Sequence, residues 1–197
     1  MPKIVDHNER KIKIAEATWN VIVREGLENA SVRNIAAEAN LSVGSLRHYF
    51  PSQSDLFLFS MELVSERVRK RITSKKYDGP PLQTFQEALC EVLPIDEDRK
   101  IEMEVWLVFS AKTLVDRKLE ELSKNVFLQM RTEIIERIIY TLESLQLLKE
   151  NVDKHVEVIR LHALIDGLAT HHILHPNTVT NKEMINTLTY HLHSICR

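Results

Sequence analysis

The sequence predicts an all-α protein, and three observations carry that prediction. There are only 4 glycines and 6 prolines in 197 residues, too few chain-breaking corners for a protein built of sheets. Apolar residues recur at three- and four-residue intervals through most of the chain, the period of a helix with one buried face. No segment alternates apolar and polar residues as a half-buried strand does. With 44% apolar and 27% charged residues, the chain has the balance of one that folds around a core.

The elements follow in order. Ile12, Ala15, Trp19, Ile22 and Val23 form one helical stripe, and Gly26 is placed to close it as a left-handed cap. Ser31 caps a short helix carrying Val32, Ile35, Ala36 and Ala39, and Asn40 suits a left-handed turn. Ser42 caps a second short helix with Leu46, Tyr49 and Phe50, stopped by Pro51. Ser52 to Ser54 offer caps for a longer helix over about residues 55–74. Then come 82–93, ended by Pro94; a helix capped by Asp96 that runs through Trp106 toward Val115; and one opening at Asp116 with Phe127, Met130, Ile134, Ile138 and Leu142. The last two cover about 152–174, ending before His175-Pro176, and 181–195, where Ile185, Leu188, Leu192 and Ile195 make a narrow apolar seam.

The strongest breaker cluster, Asp78-Gly79-Pro80-Pro81, divides the chain into 1–78 and 79–197. The first block has a net charge of +3 and the second −5, so the overall −2 hides a mildly basic head. Cys90 and Cys196 form no CxxC pattern, which points away from a disulfide framework or zinc ribbon and toward a reducing compartment. The charged N-terminal segment is unlike a signal peptide, and no apolar run approaches the roughly 20 residues of a membrane span. A soluble cytoplasmic protein without a membrane partner is expected.

The segment from Ser31 to Phe50 places two short helices around a tight turn, with Ile35, Ala36, Leu41 and Leu46 as the inner face. The second helix opens on Ser42-Val43-Gly44-Ser45, small residues that let a helix N-terminus approach phosphates and base edges. That is the pattern of a helix-turn-helix whose second helix enters the major groove. The stretch from Gly26 to Leu56, with Ile35-Ala-Ala37, Ser42-Val-Gly44 and Tyr49-Phe-Pro-Ser52, resembles the DNA-binding head of the TetR family of one-component repressors. More loosely, Val105-Trp106-Leu-Val-Phe109-Ser-Ala111 and Leu164-Ile-Asp-Gly-Leu168 resemble its BetI-like branch. Two positions depart from the family pattern: Asn40 replaces the common turn glycine, and Gln53 the common lysine after Phe-Pro-Ser.

By resemblance and by chemistry, Ser31 and Tyr49 are expected to bond phosphates through their hydroxyls. Lys11, Lys13 and Arg33 are candidates for backbone charge, and Gln53 for a phosphate hydrogen bond that releases no counterion. Arg47 is the candidate reader of guanine, because its fork matches O6 and N7. Ser45 and His48 face base edges in this reading, Val43 a thymine methyl, and Ser42 and Gly44 the entry of the helix.

One head covers one half-site, so a homodimer on a palindromic operator is expected. The last two helices are the expected interface, through Ile165, Leu168, Ile185, Leu188, Leu192 and Ile195; the resemblance implies a four-helix bundle there. Met103, Trp106, Phe109, Phe127 and Met130, with Glu102, Arg131, His162 and Asp166 as polar exceptions, are candidate lining for a small-molecule effector site, against the plainer reading of a filled core. His171 and His175 lie one turn apart, but no third ligand stands at suitable spacing, so no metal is expected, and no cofactor. Cys90 reads as an inert core thiol. The whole reads as a ligand-responsive transcriptional repressor. A non-sensing architectural DNA binder is the first rival. A helical-bundle enzyme is the second, disfavoured because Glu-x-x-His, P-loop and Gly-x-Ser-x-Gly motifs are missing.

Overall fold

A computed structural model describes residues 7–114 and 119–197. Ten α-helices are described: α1 (His7–Glu25), α2 (Val32–Glu38), α3 (Val43–Tyr49), α4 (Gln53–Ser74), α5 (Pro81–Cys90), α6 (Glu97–Thr113), α7 (Glu120–Gln129), α8 (Arg137–Ser144), α9 (Lys154–Leu174) and α10 (Asn181–Ile195). The residues described include no strand, only an isolated antiparallel bridge between Leu148 and Cys196. The all-α prediction therefore holds. The expected helix start at Asp116 and the end near Val115 lie outside the described residues.

Packing divides the chain into two units. One comprises the described parts of Met1–Arg67 and Glu104–Ser123; the other comprises Val68–Met103 and Lys124–Arg197. In the first, α1 packs on α2 and α3. Its interior holds Ile14, Trp19, Ile22, Ile35, Ala36, Leu46, Phe50 and Leu56, and Phe57 meets Phe109 with ring centroids 5.2 Å apart. In the second, one core takes in Leu89, Leu93, Ile135, Ile139, Leu142, Leu161, Met184, Leu188 and Leu192.

The capping chemistry explains most boundaries. The Ser31 and Ser42 hydroxyls accept from the N–H groups of Asn34 (3.2 Å) and Ser45 (3.0 Å). Ser52 and Asp55 bond reciprocally at the head of α4, as do Thr180 and Glu183 at α10. Asp96 and Asp153 cap α6 and α9. Gly26 has the positive φ expected of it (84°), but a ψ of 161° makes it an extended glycine conformation rather than a left-handed helical one. Helix α5 ends three residues before the expected Leu93, in a turn that precedes Pro94. The predicted uninterrupted helix through Met130 carries a π-helical stretch at Met130–Glu136. Five-residue spacing there brings Arg131 and Glu136 to 3.5 Å.

The turn between α2 and α3 sets the geometry of the head. Asn40 has φ 54°. The Leu41 N–H donates to Ala36 O (2.8 Å) and the Asn40 N–H to Ala37 O (3.1 Å), the paired bonds of a Schellman cap. Asn adopts this conformation at some cost and glycine at none. Replacing Asn40 with Ala is therefore expected to lower stability by about 1 kcal/mol, and Asn40→Gly to leave it equal or raised. Urea midpoints of the three proteins check this.

Candidate nucleic-acid interface

Helix α3 is seven residues long and buries only Leu46. Val43, Gly44, Ser45, Arg47 and His48 all face solvent, and Tyr49 is half-buried. A helix held by so little contact is unusual in a core and natural for a surface that docks elsewhere. At Gly44 an added Cβ would meet only Ser42 Oγ, at 3.8 Å. The fold itself thus tolerates alanine there, and the flat spot lies on the outward face.

The hydroxyls are partly engaged. Ser42 donates to Ser45 Oγ (3.0 Å) besides capping α3, which leaves the Ser45 hydroxyl hydrogen available to an outside acceptor. Ser31 uses a lone pair as a cap and keeps its own hydrogen. Arg33 is exposed. Two of the expected backbone contacts are drawn inward: Lys11 Nζ lies over the Phe50 and Phe59 rings at 5.4 and 5.6 Å, and Gln53 Nε2 donates to Ala30 O at 2.7 Å. Lys13 pairs with Glu9. Arg24 bridges Glu25 and Glu38, which lowers the Glu38 carboxyl below its ordinary range. His7, which sequence reasoning passed over, packs its ring 4.8 Å from Tyr49; nothing in the linear pattern marked it, because the pair is 42 residues apart.

The expected effector residues are divided between the two units. In the first unit Trp106 is half-buried, and Phe109 is closed against Phe57. In the second, Glu102 is buried and held on both oxygens by Arg71, at 2.9 and 2.7 Å. Arg71 also donates to Glu91 O, and Lys75 and Arg99 pair with the Glu91 carboxylate. A carboxylate so neutralised is not free to receive a cation, so the expected ligand role of Glu102 gives way to a structural one. Sequence could not show this, since Arg71 comes from a distant helix. Met103 and Met130 pack on the core. Phe127 stacks on His162 (4.7 Å), whose Nε2 is 3.7 Å from Asp166, and Arg131 is held by Glu136. Burial pushes His162 below the ordinary imidazole range.

The residues of the expected dimer seam pack within the second unit. Ile165, Leu188, Leu192 and Ile195 are buried within the chain's own core, with Leu168 packed against it and Ile185 half-buried. Side chains without exposed surface have none to give a partner. Apolar surface remains on the opposite stripe of α9, at Val156, Ile159, Ala163 and Leu174, and at Tyr190 of α10. Gly167 lies on the same stripe, with open space where a Cβ would point. Among the described residues no helix is long and apolar enough to cross a membrane, and no group of three or more His, Cys, Asp or Glu is placed to hold a metal. His171 and His175 are exposed, while burial pushes the Cys90 thiol up.

Two families of known proteins match the chain. The family described as "Bacterial regulatory proteins, tetR family" matches residues 14–58, and that described as "BetI-type transcriptional repressor, C-terminal" matches 81–197. The HTH-type transcriptional regulator PksA of Bacillus subtilis is 42% identical, over 100% of this chain and 94% of that protein. BetI of Vibrio parahaemolyticus is 24% identical over 99% and 100%. A solved transcriptional regulator of Saccharomonospora viridis in complex with choline superposes with a TM-score of 0.86 at 22% identity, covering 96% and 99% of the two chains. These relatives are regulators, not enzymes.

Burial within the second unit generates a pH dependence. His191 Nε2 lies 2.7 Å from Glu157 Oε1, and both residues are buried. Burial pushes the imidazole below its ordinary value of 6.5, against the opposing pull of Glu157 and with a smaller push from Arg160. The unfolded chain then binds the proton more readily, so stability is full above about pH 6.5 and falls as the pH drops below it. Urea midpoints are expected to fall between pH 7.5 and 5.5, with a flatter dependence in the His162→Gln/His191→Gln protein; an unchanged slope in that variant contradicts the assignment.

Proposed function

The chain belongs to the TetR family of transcriptional regulators, and from that membership we propose that it is a ligand-responsive repressor that binds a palindromic operator as a homodimer. The observation that carries the DNA role is α3, which exposes every residue but the buried Leu46 and the half-buried Tyr49 and opens on its flattest end. In this reading α3 lies in the major groove with Arg47 on a guanine, Ser45 and His48 at base edges and Val43 against a thymine methyl. Ser31, Arg33 and Tyr49 hold the backbone, and the 1–78 head and 79–197 remainder divide recognition from response.

Two heads need a spacing of about 34–36 Å on the duplex. The α9 stripe of Val156, Ile159, Ala163, Gly167 and Leu174, with Tyr190, is the surface that would join two chains. The effector is a small organic molecule that presents a polar group to Phe127, His162 and Asp166. It releases DNA only by binding the non-repressing state more tightly. The choline seen in the Saccharomonospora viridis regulator belongs to that protein, and this chain's Glu102 is already neutralised.

Selection of duplexes from a random pool by the purified protein tests the DNA role. It is expected to return two inverted half-sites about one helical turn apart, and Arg47→Ala to cost about 1–3 kcal/mol at one base position and relax specificity there. Loss spread equally over all sequences would make Arg47 a backbone contact. For the partner face, Ile159→Glu is expected to give folded monomers by sedimentation; a dimer that persists moves the interface elsewhere.

A further inference from the structure

The first turn of α1 meets the last turn of α3 through three rings. His7 lies 4.8 Å from Tyr49 and 6.3 Å from His48, and His48 stands edge-on to Tyr49 at 5.5 Å. Such rings in an interior would be plain packing. Here His7 and His48 are exposed, and the surface they share continues the outward face of α3. Meanwhile the lysines of this part of α1 are turned aside, Lys11 over Phe50 and Phe59 and Lys13 to Glu9.

Resting on the reading of α3 as the recognition helix, we propose that His7 is a direct operator contact, its ring N–H donating to a phosphate oxygen beside the one held by Tyr49. Successive phosphates of one strand advance about 3.4 Å along the duplex. Neighbouring phosphates lie farther apart in space than that axial rise, so side chains in ring contact, as His7 and Tyr49 are with centroids 4.8 Å apart, face the same phosphate or adjacent ones. The contact seats α1 on the backbone and carries no base information, so its contribution is the same on every sequence. The aromatic packing fixes the imidazole before DNA arrives, which reduces the ordering cost of the bond.

The test uses the full-length protein and the duplex that wild-type protein recovers from a random pool. His7→Phe keeps a ring against Tyr49 and removes the donor; His7→Ala removes both. Both variants are expected to bind about tenfold more weakly, by the same factor on the selected duplex and on one with a mismatched half-site, with unchanged circular dichroism. Wild-type affinity in His7→Phe overturns the proposal, whether or not His7→Ala is weakened. Tyr49→Phe separates the two levels: weakened Tyr49→Phe beside an unaffected His7→Phe removes the His7 contact alone, whereas unaffected Arg47→Ala and Tyr49→Phe remove the interface it rests on.

Discussion

Helix α3 is fastened to the protein by one buried side chain, Leu46, and by the turn that precedes it. Everything the head can do outward depends on that arrangement. The Schellman bonds at Ala36 and Ala37, with Asn40 at φ 54°, reverse the chain within three residues, and the Ser42 cap restarts it. Leu46 and then Phe50 enter the core one turn apart, which fixes the rotation of α3 about its axis. Once that rotation is set, Val43, Gly44, Ser45, Arg47 and His48 have nowhere to point but away. The same short helix could not be both better buried and a reading surface.

A different constraint organises the second unit. Burial of Glu102 requires a cation, and Arg71 supplies it with two bonds while reaching Glu91 O with a third. Removing Arg71 would leave the buried Glu102 carboxylate uncompensated, a loss of about 3–5 kcal/mol. The C-terminal end of α4 is thereby tied to α6 and to the turn after α5. In the same unit the apolar seam of α10 closes the core.

Local signals made much of this legible. Caps at Ser31, Ser42 and Asp96 are chemistry that a sequence displays directly, as are the positive φ values at Asn40 and Gly26. The head was readable because its function sits on consecutive residues. What escaped was tertiary. A 3-4-3 stripe such as Ile185–Leu188–Leu192–Ile195 states that a face will be buried, not by which neighbour. The exposed apolar stripe of α9 is what is left over once the core is closed. Arg71 with Glu102 and His7 with Tyr49 join positions 31 and 42 residues apart, beyond any periodicity. The π-helical stretch at Met130–Glu136 keeps ordinary helix-forming residues and so leaves no trace in composition.

The central claim is that α3 reads the major groove in two copies. Methylation interference at guanine N7, on a duplex the protein selects for itself, probes it most directly. The account predicts that methyl groups block binding in two major-groove patches on one face of the duplex, about one helical turn apart. Binding that ignores N7 methylation, or a single patch without its inverted copy, would contradict it.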